Sequence, residues 1–500
     1  MTTTKRKPVP VILNGLCAAA LFWGYLCFFS GRFYVSTFGR LGFDSVLYTL
    51  SAGLGGVQSG QITRWLLMGF LPAILFSFLT FLLLFRKKRG SGKYAKSNSS
   101  KNLSHWCSLL ISLCLMVFTA FDVEFVEYLF HQHTDTDLYE TYYRDPSDVK
   151  ITFPDQKRNL IYIMLESMET SYLSRDLGGT MDKNLIPELY DLSKNNLCFS
   201  NNGAKVGGFY TSKGATWTIG SMVAQTAGIP LKTPTEDVNQ YGAAGEAFLP
   251  GATTLTNILH DAGYTQALMV GSDVRFGGRK VYYEQHGIDA IYDLYTARKD
   301  GIVPKDYFVW WGMEDLHLFR YARQEITELA QQDKPFAFTM LTVDTHHVGG
   351  YQCALCMDSS SGESYDQSIS CSSRQVADFV KWIQSQPFYE NTTVIIVGDH
   401  ESMDNGYFSR TGDSGYQRLL YNCFINEAAD ARKTTNRKFV AEDLFPTTLA
   451  AMGCTIEGER LGLGTNLFSG VKTLTELLGF DHFNNELAKA STYYEEHFWE

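Results

Sequence analysis

Hydrophobic and polar positions divide this chain into two unlike parts. The first part holds three long apolar runs: "PVILNGLCAAALFWGYLCFF" from position 10, "WLLMGFLPAILFSFLTFLLLF" from 65 and "WCSLLISLCLMVFTAF" from 106. With their flanks, each is long enough for a helix to cross the hydrocarbon core of a bilayer. Further on, the pattern changes to short apolar runs bounded by polar residues, "NLIYIML" at 159, "TQALMVG" at 265, "PFAFTMLTV" at 335 and "TTVIIVG" at 392. Runs of this kind read as strands buried on both faces of a parallel sheet. Between them, "GATTLTNILHDAG", "DLHLFRYARQEITELAQQ" and "SRQVADFVKWIQSQ" fit helices. The alternation predicts an α/β fold, a doubly wound sheet preceded by an α-helical membrane anchor of about three spans. Residues 1–148 are assigned to the anchor and 149–500 to the α/β domain that follows it.

Charge orients this arrangement. The net charge of -10 argues against a nucleic-acid partner, whose footprint would be a basic face. Locally, "RKKRGSGKYAKSNSSK" from 86 carries seven Lys or Arg and no acid, and "KRK" lies near the start. By the positive-inside rule the 86–102 loop is cytoplasmic. An odd number of spans then leaves everything after Phe130 on the outer face. The first run lacks a small-residue cleavage pattern and reads as an anchor, not a removed signal peptide. The amphipathic loop "GRLGFDSVLYTLSAGLGGVQSGQ" is expected at the outer membrane surface.

Ten cysteines divide into four in the spans (Cys17, Cys27, Cys107, Cys114) and six beyond. Cys353, Cys356 and Cys371 cluster in a Ser-rich insertion. The CxxC pair has no second pair at metal-ligand spacing. In an oxidising compartment, a disulfide closing the insertion onto Cys371 is expected, from either Cys353 or Cys356.

Ligands collect at the carboxyl ends of strands in such sheets, so the residues just past each strand are the first candidates for chemistry. After the first strand comes Glu166; after the second, Ser272, Asp273, Arg275 and Arg279; after the third, Asp344, His346 and His347; after the fourth, Asp399 and His400. Glu166, Asp399 and His400 form a hard O/N donor set suited to Mn²⁺, Mg²⁺ or Zn²⁺. The stretch "GATWTIGSMVAQTAGIPL" supplies a fourth group, with Thr216 and Thr218 flanking Trp217 ahead of a helical pattern. A threonine at a helix mouth can meet the metal and act as a nucleophile, while the helix N–H groups receive a phosphate. Thr216, directly after "SKGA", is expected there; the plain alternative is an N-cap hydroxyl.

Taken together, "NLIYIMLESMETSYL", "GATWTIGSMVAQTAGIPL", "RFGGRKVYYEQHGID", "LTVDTHHVGGY", "VIIVGDHESM" and "DLFPTTLAAMG" resemble the phosphoglycerol transferase and lipoteichoic acid synthase family, of the alkaline phosphatase and sulfatase superfamily. The likeness spans roughly residues 155 to 470. It implies that Glu166, Thr216, Asp399 and His400 bind one divalent ion, commonly Mn²⁺, and that Thr216 is the nucleophile. His346 matches the family's substrate histidine and Arg279 its phosphate-facing arginine; Asp273, His347 and Trp217 join the expected substrate contacts. The "FGGR" before that arginine departs from the synthases, and Asp273 aligns with their acidic residue only after a one-position shift. The implied reaction moves phosphoglycerol from phosphatidylglycerol to a hydroxyl of a periplasmic or cell-surface glycan, through a covalent threonine intermediate, with release of diacylglycerol. A sulfatase reaction would need Cys/Ser-x-Pro-x-Arg, which is missing around Thr216. Phosphoethanolamine transfer to a surface glycan or lipid, or a binding protein that retains the fold, are the alternatives.

Overall fold

The computed structural model describes residues 9–39, 42–43, 46–47, 59–86, 98–232, 247–356, 364–411 and 415–499. Most of the basic loop and of the amphipathic loop lies outside the described residues. The chain separates into two units, Met1–Val46 with Gly53–Phe130, and Leu47–Ala52 with His131–Glu500. Residues 131–148, assigned to the anchor by their sequence, thus fall in the second unit, where Leu138 and Tyr139 are buried in its core.

In the first unit, α1 (Val9–Phe38), α2 (Gly60–Phe85) and α3 (Asn98–Asp122) are long and apolar enough to cross a membrane. Large apolar side chains such as Leu83, Phe78 and Leu110 point outward, an arrangement suited to lipid and not to water. Small residues let the helices approach closely. A Cβ on Gly24 would stand 2.7 Å from Ser112 Oγ, and one on Gly31 would stand 2.6 Å from a Thr119 methyl.

The second unit is built on a seven-stranded sheet. Its strands are β1 (Asn159–Leu165), β2 (Gly208–Phe209), β3 (Thr265–Val270), β4 (Ala290–Tyr292), β5 (Phe336–Leu341), β6 (Thr392–Gly398) and β7 (Leu420–Ile425). The spatial order is β2-β7-β6-β1-β5-β3-β4. The five strands from β6 to β4 run parallel, while β7 pairs antiparallel with β6 and β2 antiparallel with β7. The four apolar runs of the sequence form β1, β3, β5 and β6 at the centre.

Alternation along β1 divides the core into two layers. Leu160, Tyr162 and Met164 face one cluster; Ile161, Ile163 and Leu165 face the other. The first layer is completed by α4 (Thr218–Ala227), α5 (Arg279–Gln285) and α8 (Leu444–Ala451), the second by α6 (Asp315–Leu329) and α7 (Ser364–Gln384). Helices on both faces make this a doubly wound layer structure, and the central strands present their carboxyl ends along one edge.

Candidate active site

Glu166 lies directly after β1, and Asp399 and His400 directly after β6, so the β1–β6 pairing brings three sequence-distant ligand candidates together. All three are at most 2 % exposed, and one donor atom from each lies within 4.8 Å of the others. His400 Nε2 is 3.5 Å from Glu166 Oε1 and 3.5 Å from Asp399 Oδ2. His400 Nδ1 lies 2.9 Å from the Glu401 carbonyl. That contact needs the proton on Nδ1 and turns the Nε2 lone pair toward the carboxylates, the orientation a metal-ligating imidazole requires. Asp399 Oδ1 accepts N–H bonds from Ser167 and His400, at 2.7 and 2.6 Å. Asp399 Oδ2 accepts no hydrogen bond among the described residues.

The electrostatics fit a bound cation. Burial, then the charge of Glu166, pushes the Asp399 carboxyl up to about 7. Burial lowers His400, but the two carboxylates outweigh it and raise this imidazole above its ordinary value. Two carboxylates enclosed together repel unless a positive charge joins them. The hard oxygen and nitrogen donors suit a divalent ion such as Mn²⁺, Mg²⁺ or Zn²⁺.

The two threonines around Trp217 are placed differently. Helix α4 begins at Thr218, not Thr216; Trp217 is its extended N-cap residue, at φ -142 and ψ 163. Thr218 Oγ1 lies 3.4 Å from His400 Nε2, whereas Thr216 Oγ1 is enclosed with no hydrogen-bond partner among the described residues. Folding of the approach loop causes this. Gly214 takes φ +82, and its carbonyl packs so closely on α4 that a Cβ on Gly220 would stand 2.3 Å away. The loop folds over the first turn of α4, with Thr216 just ahead of the N-cap residue. Hydrogen bonds then tie α4 to the end of β6: Ser221 Oγ donates to the Asp399 carbonyl, and Gln225 Nε2 donates to Ser221 Oγ and to the Gly398 carbonyl.

Other expected residues divide. His346 is partly exposed at this edge. Burial lowers its pKa, partly countered by Glu166, so the ring favours the neutral form. Its Nδ1 sits 2.7 Å from the His347 carbonyl and its ring stacks on that of His347, at 4.5 Å. Arg279, 4 % exposed, donates to Ser272 Oγ (3.0 Å) and to the Asp273 carbonyl (2.7 Å). The Asp273 carboxylate is taken up by Arg275, at 2.7 to 3.1 Å, so Asp273 contributes to the edge through its backbone. Trp217 is 4 % exposed and packs in the core.

A supporting pair that sequence reasoning missed holds the loop after His400. Glu169 accepts the Ser402 N–H at 2.7 Å and pairs with Arg418, which also donates to the Ser402 carbonyl. Glu169 lies within "LESMETS", but nothing local distinguishes it from an exposed acid. Cys353, Cys356 and Cys371 do gather: the Cys353 sulfur is 3.6 Å from that of Cys356 and 3.8 Å from that of Cys371, all as free thiols.

The mixed α/β sheet with helices on both faces agrees with what comparison with known proteins finds. The profile described as Sulfatase matches residues 158–454, and the chain belongs to that family. It is similar to phosphoglycerol transferase I of Shigella flexneri, 30% identical over 339 residues, or 66% of this chain and 41% of that protein. It is also similar to phosphoglycerol transferase I of Salmonella arizonae, 29% identical over 444 residues, or 87% of this chain and 54% of that protein. The chain spans about half the length of the curated relatives it matches. Among solved structures, an alkaline phosphatase superfamily protein from Vibrio parahaemolyticus shares the fold, with a TM-score of 0.51 and 19% identity over 68% of this chain and 79% of that one.

Proposed function

We propose that this protein transfers phosphoglycerol from phosphatidylglycerol to a hydroxyl of a periplasmic or cell-surface glycan, with Thr218 as the group that carries it. The observation behind this reading is the position of Thr218 Oγ1, first residue of α4 and 3.4 Å from His400 Nε2 in the buried carboxylate cluster. The relatives named phosphoglycerol transferase I support the donor.

Thr218 Oγ attacks the headgroup phosphorus, the bond from phosphorus to the diacylglycerol oxygen breaks, and phosphoglycerol stays esterified to the threonine. The threonine proton passes through neutral His346 to the departing oxygen, so diacylglycerol leaves as an alcohol. In the second half an acceptor hydroxyl gives its proton to His346 and displaces the threonine, which takes that proton back. Arg279 and the N–H groups at the start of α4 steady the phosphoryl charge. A divalent ion held by Glu166, Asp399 and His400, Mn²⁺ by family resemblance, would ease deprotonation of the hydroxyl and neutralise charge on the phosphate. With the anchor in the inner membrane and the catalytic unit on its outer side, tethering raises the effective concentration of the lipid donor.

The test incubates the purified full chain and Mn²⁺ with phosphatidylglycerol labelled in its glycerol headgroup, in parallel with labelled phosphatidylethanolamine. Diacylglycerol release from the first lipid, with label on Thr218 that glycan hydroxyls discharge, is the expected result. Release from phosphatidylethanolamine alone, or from neither lipid, overturns the assignment.

A further inference from the structure

Two tryptophans outside the metal cluster reach the same edge of the sheet. Val309 and Gly312 exchange both backbone hydrogen bonds, at 2.9 and 2.7 Å, which makes Trp310 and Trp311 the two-residue tip of a hairpin. The hairpin hangs from the carboxyl end of β3, where Met313 N–H donates to the Gly271 carbonyl at 2.8 Å and Gly312 bridges Ser272. A Cβ on Gly312 would stand 2.5 Å from that carbonyl, so the attachment is close.

This tip is unfavourable for folding alone. Trp310 adopts φ +54, at the first central position of a two-residue hairpin, where positive φ is ordinarily supplied by glycine. A bulky side chain in that conformation is strained, and such strain concentrates at functional sites. The indole Nε1 atoms of Trp310 and Trp311 are both enclosed, and neither has an acceptor among the described residues. An enclosed donor without a partner forfeits its hydration. Both residues are nonetheless partly exposed. The Trp311 ring lies 4.5 Å from that of His346 and 6.0 Å from that of Phe276, which lies under the Arg279 guanidinium; the Trp310 ring lies 6.2 Å from that of Tyr351.

We propose that the Trp310–Trp311 tip is a carbohydrate subsite that holds a pyranose ring of the acceptor glycan beside His346. Flat aromatic faces pack on the C–H face of a sugar ring, and the indole N–H groups, enclosed in the free protein, donate to its hydroxyls once a shift of the strained tip uncovers them. An acyl chain would use the faces but leave both N–H groups unpaired. A phosphate would be drawn to the cation at Arg279, not to the tip. That the sugar is the acceptor rests on the proposed phosphoglycerol transfer; binding of the sugar is measured separately.

The test uses the full chain in detergent micelles and a linear glucose hexasaccharide as probe, with affinity read by titration calorimetry. Wild type binds the probe. Trp311→Phe, which keeps a face and loses the N–H, should weaken it by about tenfold, the equivalent of one hydrogen bond. Trp310→Gly is the decisive variant, because glycine suits the positive φ: the melting temperature should hold or rise while sugar affinity falls. Failure of wild type to bind, or unchanged affinity in both variants, overturns the proposal. So does a result in which the variants lose affinity for phosphatidylglycerol vesicles and not for the sugar, which makes the tip a lipid contact. Tryptophan-dependent sugar binding by a protein that forms no phosphothreonine retains the subsite and defeats the transfer reading. Phosphothreonine formed by a protein without such binding does the reverse.

Discussion

Replacing the two threonines one at a time separates the catalytic hydroxyl from its neighbour. Thr218→Ala removes the Oγ1 that lies 3.4 Å from His400 Nε2. If that oxygen is the nucleophile, diacylglycerol release should fall by about 10⁴-fold or more, the scale on which loss of an attacking group is felt. Thr216→Val keeps the β-branched shape and deletes an oxygen that is enclosed with no protein partner among the described residues. An unmet buried hydroxyl carries a penalty of about 1–3 kcal/mol, so this variant should be neutral or more stable by about 1 kcal/mol and should turn over within about threefold of wild type. The assay couples headgroup release from labelled phosphatidylglycerol to mass spectrometry of the trapped adduct. Both threonines fall on one tryptic peptide, Gly214 to Lys232, and fragmentation on either side of Trp217 assigns the phosphate to one or the other. Loss of turnover in Thr216→Val as deep as in Thr218→Ala, or phosphate found on Thr216, would refute the structural argument.

Three further outcomes are expected. Glu166→Gln and Asp399→Asn should each reduce metal retention; since burial and mutual repulsion raise Asp399, Asp399→Asn should also melt higher than chelator-treated wild type, and full metal occupancy in both variants would dismiss the ligand set. Glu442 is buried against Ser212 and pushed up to about 7, mainly by burial. With its folded pKa above the unfolded one, its cost is absent in acid and grows as pH rises toward 7. Glu442→Gln should therefore gain up to about 3 kcal/mol over wild type at pH 8, at 1.36 kcal/mol per unit, and little at pH 4; an equal gain at both in denaturant titrations would contradict this. Arg418→Ala strands the fully buried Glu169 charge and should cost about 3–5 kcal/mol; an unchanged melting temperature would show that the pair does not hold the loop after His400.

The four central strands were legible because burial on both faces leaves a local mark, an unbroken apolar run bounded by polar residues. Glu166, Asp399 and His400 came with them, since a residue just past the end of a parallel strand must lie on the carboxyl edge wherever its strand sits. The edge strands β2 and β4 and the antiparallel β7 were not read: β2 and β4 are only two and three residues long, and the antiparallel return of β7 depends on which neighbour it meets. The choice between Thr216 and Thr218 also escaped local pattern. Both hydroxyls precede a helix, and only the packing of Gly214 on Gly220, with Ser221 and Gln225 bound to the end of β6, decides which one faces His400. Trp217 could as well have lined a substrate as a core, and Glu169 needed Arg418, 249 residues away, to become a support. Apolar periodicity is imposed residue by residue along the chain, and sequence alone determined what depends on it. Contacts between distant segments set which side chains meet, so the tertiary structure alone decided the nucleophile candidate, the clamp behind His400 and the two tryptophans beside His346.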